Sequence, residues 1–167
     1  MEQMETLVLG AGIAGLSCAA ELHAQGQTVG VLEKARGVGG RCATRRVDGQ
    51  PVDHGPAFLH GNDPSFLEAL ARIEGVSVLE GWPYRIEGPG RPCHPDAFRP
   101  GERRLACAEG LTAWPEALAR DLDVRLGTRV IQVEPIDGGV RLHLDGGDEA
   151  TASTVVLTAP VEQTASL

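Results

Sequence analysis

Positive charge is in deficit in this sequence: 15 Lys and Arg stand against 23 Asp and Glu, giving a formal net charge of −8 over 167 residues. A chain so acidic lacks the counterion release that drives nucleic-acid binding, and it lacks the polybasic patch that holds an anionic membrane surface. Aromatic residues are scarce, at 4%. The four cysteines, Cys18, Cys42, Cys93 and Cys107, form no C-x-x-C pair, which excludes a zinc knuckle or a thioredoxin-like site and reads as reduced thiols. His60 and His94 have no further ligands at metal spacing, so no metal is expected. No apolar run reaches the ~18 residues a bilayer span requires. The acidic start Met1-Glu2-Gln3-Met4-Glu5 opposes a signal peptide's basic n-region, so the expected location is cytoplasmic. No G-x-S-x-G elbow is present to support an acyl-transfer triad. The expected partner is therefore a small molecule, with neither nucleic acid nor membrane.

What the chain does have is glycine and proline, 22 and 11 residues respectively, without a short period. They read as many tight turns between short elements of one soluble domain.

Thr6-Leu7-Val8-Leu9 is an apolar run that stops at Gly10-Ala11-Gly12-Ile13-Ala14-Gly15, after which Leu16, Ala19, Ala20 and Leu22 recur at helical spacing. Gln25-Gly26-Gln27 ends that helix, and Thr28 to Leu32 resumes a buried strand followed by Glu33. This is a βαβ unit with a dinucleotide fingerprint. Gly10 permits the tight turn, Gly12 admits a pyrophosphate to the backbone, and Gly15 lets helix and strand pack closely. The helix start at Ile13 and Ala14 presents free N–H groups and a positive dipole end to phosphate. Glu33 lies 18 residues beyond Gly15, near the ~20 at which an acid accepts from an adenosine ribose hydroxyl and repels a 2′-phosphate.

Beyond the fingerprint, Glu33-Lys34, Arg36, the doublet Gly39-Gly40 and Arg41 resemble the second dinucleotide-contact motif of the FAD-dependent amine-oxidase superfamily. The resemblance implies FAD. It places Glu33 on the adenosine ribose, Arg36 along the adenosine side, and Gly39, Gly40 and Arg41 beside the diphosphate and ribityl chain, with Lys34 also among the cofactor-binding residues. Within the superfamily, Arg41-Cys42-Ala43-Thr44 and Asp53-His54-Gly55-Pro56-Ala57-Phe58 are similar to segments of the renalase-like group, the second of which passes near the flavin ring. Glu109 to Ala113, Val124 to Val133 and Thr154 to Pro160 follow in order. The family sets the residue matching Val130 with its backbone against adenine, and Thr158-Ala159-Pro160 falls where a doubly wound sheet meets its ligand. Pro56-Ala57-Phe58 departs from the group's more polar step.

For the rest of the chain, Asp63-Pro64-Ser65 caps a helix expected over 64–73. Strands are expected at Val76 to Leu79 and Tyr84 to Glu87, irregular chain over 88–103, a helix over 112–121, and strands at 124–126 and 128–136. Turns at Asp137-Gly138-Gly139 and Asp145 to Asp148 make a β-meander, and Val155-Val156-Leu157 reads as a fully buried parallel strand. The fold expected is α/β: a Rossmann-like FAD/NAD(P)-binding domain with a parallel sheet and β-meander (1–58 and 105–167), interrupted by a substrate-side segment (59–104).

The resemblance implies an oxidoreductase that passes hydride from a small substrate to flavin and is reoxidised by dioxygen, with NAD(P)H an alternative donor. His54 is the one catalytic candidate; His23 and His143 read as solvated. Superfamily members are about twice as long, so the chain is expected to be an N-terminal half. Such a half would expose an apolar surface that favours a homodimer. The competing reading is a non-catalytic module that holds FAD or NAD.

Overall fold

Leu7, Val8 and Leu9 are all buried, because their strand has a parallel neighbour on each side and side chains packed on both faces. The computed structural model describes residues 4–73, 75–83 and 95–167; the strand expected at Tyr84 to Glu87 lies outside them, as do Cys93 and His94. The chain starts with β1 (Met4–Leu9), α1 (Ile13–Ala24) and β2 (Val29–Leu32). Next come β3 (Thr44–Val47), β4 (Gln50–Asp53), β5 (Leu59–His60), α2 (Pro64–Ala71), β6 (Val78–Glu80), β7 (Arg104–Cys107) and α3 (Ala113–Leu118). It ends with β8 (Asp123–Arg125), β9 (Val130–Ile136), β10 (Gly139–Leu144), β11 (Glu149–Leu157) and α4 (Val161–Thr164).

Two units result, residues 1–40 with 118–167 and residues 41–117. Residues 42–53 and 107–112 are hydrogen-bonded to each other, through Thr44, Asp53 and Thr112, and fall together in the second unit.

The first unit is a six-stranded sheet in the order β8-β2-β1-β11-β10-β9. Its first four strands are parallel and its last two antiparallel, so the expected parallel sheet and β-meander share β11. One face carries Val8, Val29 and Val31 under Leu16 and Ala19 of α1. The opposite face gathers Met4, Leu7, Leu9, Leu32, Leu142, Ala150 and Ala152. Each fully buried Val or Leu contributes roughly 1.5–3 kcal/mol. α1 ends where Gly26 takes φ +87° and Gln27 N–H bonds back to Leu22 O, a glycine-terminated cap.

Register places Leu9 opposite both Leu32 and Leu157. The three strands therefore finish level, and the residues that follow them, Gly10, Glu33 and Thr158, share one edge of the sheet. β11 is not the fully buried strand expected: Val155 and Val156 are half-buried and Leu157 is 40% exposed. Val156 lies on the face covered by α1, whereas Val155 and Leu157 lie with Leu7 and Leu9 on the opposite face, and there the covering cluster packs on Val155 while Leu157 stays open.

In the second unit β3 and β4 form a hairpin absent from the sequence reading, turning at Asp48 and Gly49, both with positive φ. A second sheet has the order β5-β7-β6. Its central β7 buries Leu105, Ala106 and Cys107, in a stretch the sequence left without a strand. α2 is capped as expected, with Asp63 accepting from the N–H groups of Ser65 and Phe66. Both α2 and α3 are shorter than the expected 64–73 and 112–121.

Candidate functional site

The glycine turn between β1 and α1 separates glycines that the fold demands from one that it does not. Gly10 has φ +110°, and a Cβ there would stand 2.8 Å from Thr158 Oγ1. At Gly15 a Cβ would run into the carbonyl oxygen of Gly10. Gly12 differs on both counts: its φ of −79° suits any residue, and a Cβ would meet nothing within 4 Å. Among the described residues nothing fills that space.

Gly12 is also the N-cap of α1 and offers no capping side chain. The N–H groups of Ile13, Ala14 and Gly15 open the helix without intrahelical acceptors, the arrangement that receives an anion. Ala11, by contrast, is fully engaged. Its N–H donates to Glu33 Oε2 at 2.7 Å and its carbonyl accepts from Gly39 N–H at 2.8 Å. Gly39 bridges to Gly12, and a Cβ on Gly40 would lie 3.3 Å from Gly12 Cα, so the Gly39-Gly40 doublet lines the turn.

Glu33 is buried at the end of β2, and its other oxygen, Oε1, accepts from Ala35 N–H at 2.8 Å. An ionised carboxylate has about four lone-pair positions. Two are filled by amides, and those that remain accept only from donors such as hydroxyls. A second anion beside this buried carboxylate would be repelled.

The remaining candidates divide between the two units. In the first, Lys34 and Arg36 are exposed, and Lys34 Nζ donates to Gln163 Oε1 at 2.7 Å. Val130 is half-buried against the second-face cluster. Thr158 reaches back to the turn, Ala159 O accepts from Thr164 Oγ1 at 3.1 Å, and Pro160 is the N-cap of α4. In the second unit, Arg41 is exposed and Cys42 half-buried in a short turn of 3₁₀ helix. His54, Gly55 and Pro56 are exposed and Ala57 is half-buried. Gly55 is required, since a Cβ would run into Arg41 O.

A network the sequence reading missed holds this second segment. Asp53 Oδ1 accepts from Thr44 Oγ1 at 2.5 Å and from Leu111 N–H at 2.9 Å. Thr44 N–H donates to Thr112 Oγ1 at 2.5 Å, Thr112 N–H returns to Thr44 Oγ1 at 3.1 Å, and Thr112 Oγ1 donates to Cys42 O. Gly110, with φ +96°, has no room for a Cβ against the Thr44 side chain. Thr44 and Asp53 sit in the quoted motifs, but only their pairing across the hairpin reveals the contact.

Burial pushes the Cys42 thiol up, with the Arg41 charge opposing and the Asp53 charge reinforcing. Cys107, buried and donating to Glu109 at 2.9 Å, is pushed up to about 11. Neither thiol is set up as a nucleophile. His143 is not simply solvated: it lies 3.1 Å from Glu134 and 3.3 Å from Glu149, beside Arg141, in a cross-strand charge cluster. Among the described residues no group of three His, Cys, Asp or Glu is placed to hold a metal, and no helix is long and apolar enough to cross a membrane.

Comparison with known proteins adds to this geometry. Residues 8–73 match the family model of an NAD(P)-binding Rossmann-like domain, and residues 94–166 match that of flavin containing amine oxidoreductase. Putrescine oxidase of Kocuria rosea is 30% identical over 140 residues, covering 72% of this chain and 29% of that protein. The zeta-carotene-forming phytoene desaturase of Myxococcus xanthus is 49% identical over 53 residues, 32% of this chain and 10% of that one. Among solved structures, a putrescine oxidase triple mutant matches with a TM-score of 0.74 at 16% identity, over 96% of this chain and 59% of that one. A CLA-producing fatty acid isomerase from P. acnes matches with 0.72 at 14%, over 99% and 61%. The chain thus spans 29% and 10% of the length of these two relatives, and 59% and 61% of these two solved chains.

Proposed function

The chain belongs to the FAD-dependent amine-oxidase superfamily, and from that premise we propose that it supplies the dinucleotide-binding framework of an oxidoreductase acting on a small amine. Its cofactor is FAD. The observation that carries the reading is the open space beside Gly12, next to the uncapped start of α1. A diphosphate would take that space, which no described residue enters within 4 Å of a Cβ on Gly12.

The diphosphate is held by Gly10, Gly12, Ile13, Ala14 and Gly15, with Gly39 and Gly40 alongside. Glu33 takes the adenosine ribose hydroxyls in its remaining acceptor positions, with Arg36 on the adenosine side and Lys34 a further cofactor-binding residue. The Val130 backbone meets adenine, and Thr158, Ala159 and Pro160 close the strand end. Arg41, Cys42, His54, Gly55, Pro56 and Ala57 serve the ribityl chain and ring, with His54 the candidate for substrate contact. On this reading the FAD-binding domain comprises 1–58 and 105–167.

When bound, FAD supplies two-electron oxidation of a substrate C–H, with reoxidation by dioxygen to hydrogen peroxide. The protein's own task is binding and orientation. An amine is favoured as substrate because the putrescine oxidase match covers 72% of the chain, against 32% for the desaturase. A renalase-like activity would instead take reduced nicotinamide. Anaerobic mixing of the FAD-loaded protein with putrescine, other amines, NADH and NADPH separates them through bleaching of the flavin band near ~450 nm. Bleaching by amines supports the reading; bleaching by NADH or NADPH alone replaces the substrate, and none with any donor removes the oxidase assignment.

A further inference from the structure

Thr158, the residue after β11, directs its hydroxyl onto the glycine turn. Oγ1 donates to Leu9 O at 2.8 Å, with Gly10 O at 3.4 Å, and the Thr158 N–H also donates to Leu9 O at 3.1 Å. Both acceptor positions of the last β1 carbonyl are therefore filled by one residue that arrives from the far end of the chain. The same Oγ1 lies 2.8 Å from where a Cβ would stand on Gly10, and 2.8 Å from where one would stand on Gly15. It fills the gap between the first and last glycines of the turn.

We propose that Thr158 is the positioning residue of this turn: its hydroxyl fixes the Leu9 and Gly10 carbonyls, and so fixes where the amides from Gly12 onward point. The inference rests on the reading that those amides hold a diphosphate. It differs from a ligand contact, because the hydroxyl's hydrogen is committed to the protein. Valine, of the same shape, would press a methyl group to 2.8 Å from a carbonyl oxygen, the spacing Oγ1 now has, inside van der Waals contact. Serine would keep the bond.

The test is calorimetric titration of the full chain and of Thr158→Val, Thr158→Ala and Thr158→Ser with ADP and with adenosine, with thermal unfolding run on each protein. Thr158→Val and Thr158→Ala are expected to bind ADP about three- to tenfold more weakly, the range set by one hydrogen bond. Adenosine, which has no diphosphate, is expected to bind all four proteins alike, and Thr158→Ser to keep wild-type ADP affinity. Should Thr158→Val fail to fold, Thr158→Ala carries the comparison. Unchanged ADP affinity in Thr158→Ala, or an equal loss for both ligands, overturns the proposal while the nucleotide site stands. A wild-type chain that binds neither ligand overturns the site itself, and the proposal with it.

Discussion

Glu33 Oε2 accepts the N–H of Ala11 at 2.7 Å, joining the end of β2 to the glycine turn that follows β1. The carboxylate read from sequence as a ribose acceptor is thus already a structural tie, and its second oxygen holds Ala35 N–H. The proposed ribose site and the turn meet at one side chain.

Glu33→Ala is therefore expected to destabilise the protein with no nucleotide present. Hydrogen bonds to a charged group contribute about 1.5–3 kcal/mol each, and a loss in that range should appear in urea denaturation. A residue that met only the ligand would be neutral there. Unchanged stability would refute the tie.

Asp53 takes both the Thr44 hydroxyl and the Leu111 amide on a single oxygen, Oδ1. Asparagine presents a carbonyl oxygen at the same place; alanine presents nothing. Asp53→Asn should then cost under about 1 kcal/mol and Asp53→Ala about 1–3 kcal/mol, since the latter leaves two donors without a partner. Equal losses in denaturant titrations would show that the charge matters rather than the two bonds.

The Cys107–Glu109 pair predicts opposite pH dependence at the two ends of the scale. Glu109 is held down to about 2, below its ordinary 4.5, first by the Cys107 thiol and then by Ser77. Its contribution to stability is complete above 4.5 and is lost as pH falls towards 2. Cys107, raised from 9.0 to about 11, contributes fully below 9.0 and loses that contribution as pH rises towards 11. The stability difference between wild type and Cys107→Ala should be flat between these limits and shrink outside them. A difference that does not vary with pH would contradict the bond.

Much of the nucleotide half was legible because its signals are local. Apolar runs, glycines at turn spacing and an acid at the end of the second strand lie within the first 33 residues, and they form the expected strand, turn, helix and strand. The second unit was harder. The β3–β4 hairpin carries an Asp48-Gly49 turn signal, but its valines, Val47 and Val52, are 53% and 44% exposed, so no buried alternation marked it. β7 pairs with segments distant in sequence, and no local pattern announces that. Val155-Val156-Leu157 was read correctly as a strand and wrongly as buried, because an apolar run states preference and not what packs upon it. The inward hydroxyl of Thr158 depends on the register of β11 against β1, which sequence spacing does not reveal.

Gly12→Ala tests the central claim most directly, because the protein has no steric need for glycine at that position. Thermal unfolding and an FAD titration followed by flavin absorbance should be run on the variant and the wild type together. The account predicts that the wild-type chain takes up FAD, and that the variant keeps its unfolding midpoint while losing at least about tenfold in FAD affinity, as a methyl group fills the space left for the diphosphate. Equal FAD affinity in the two proteins, or a wild-type chain that takes up no FAD, would contradict it.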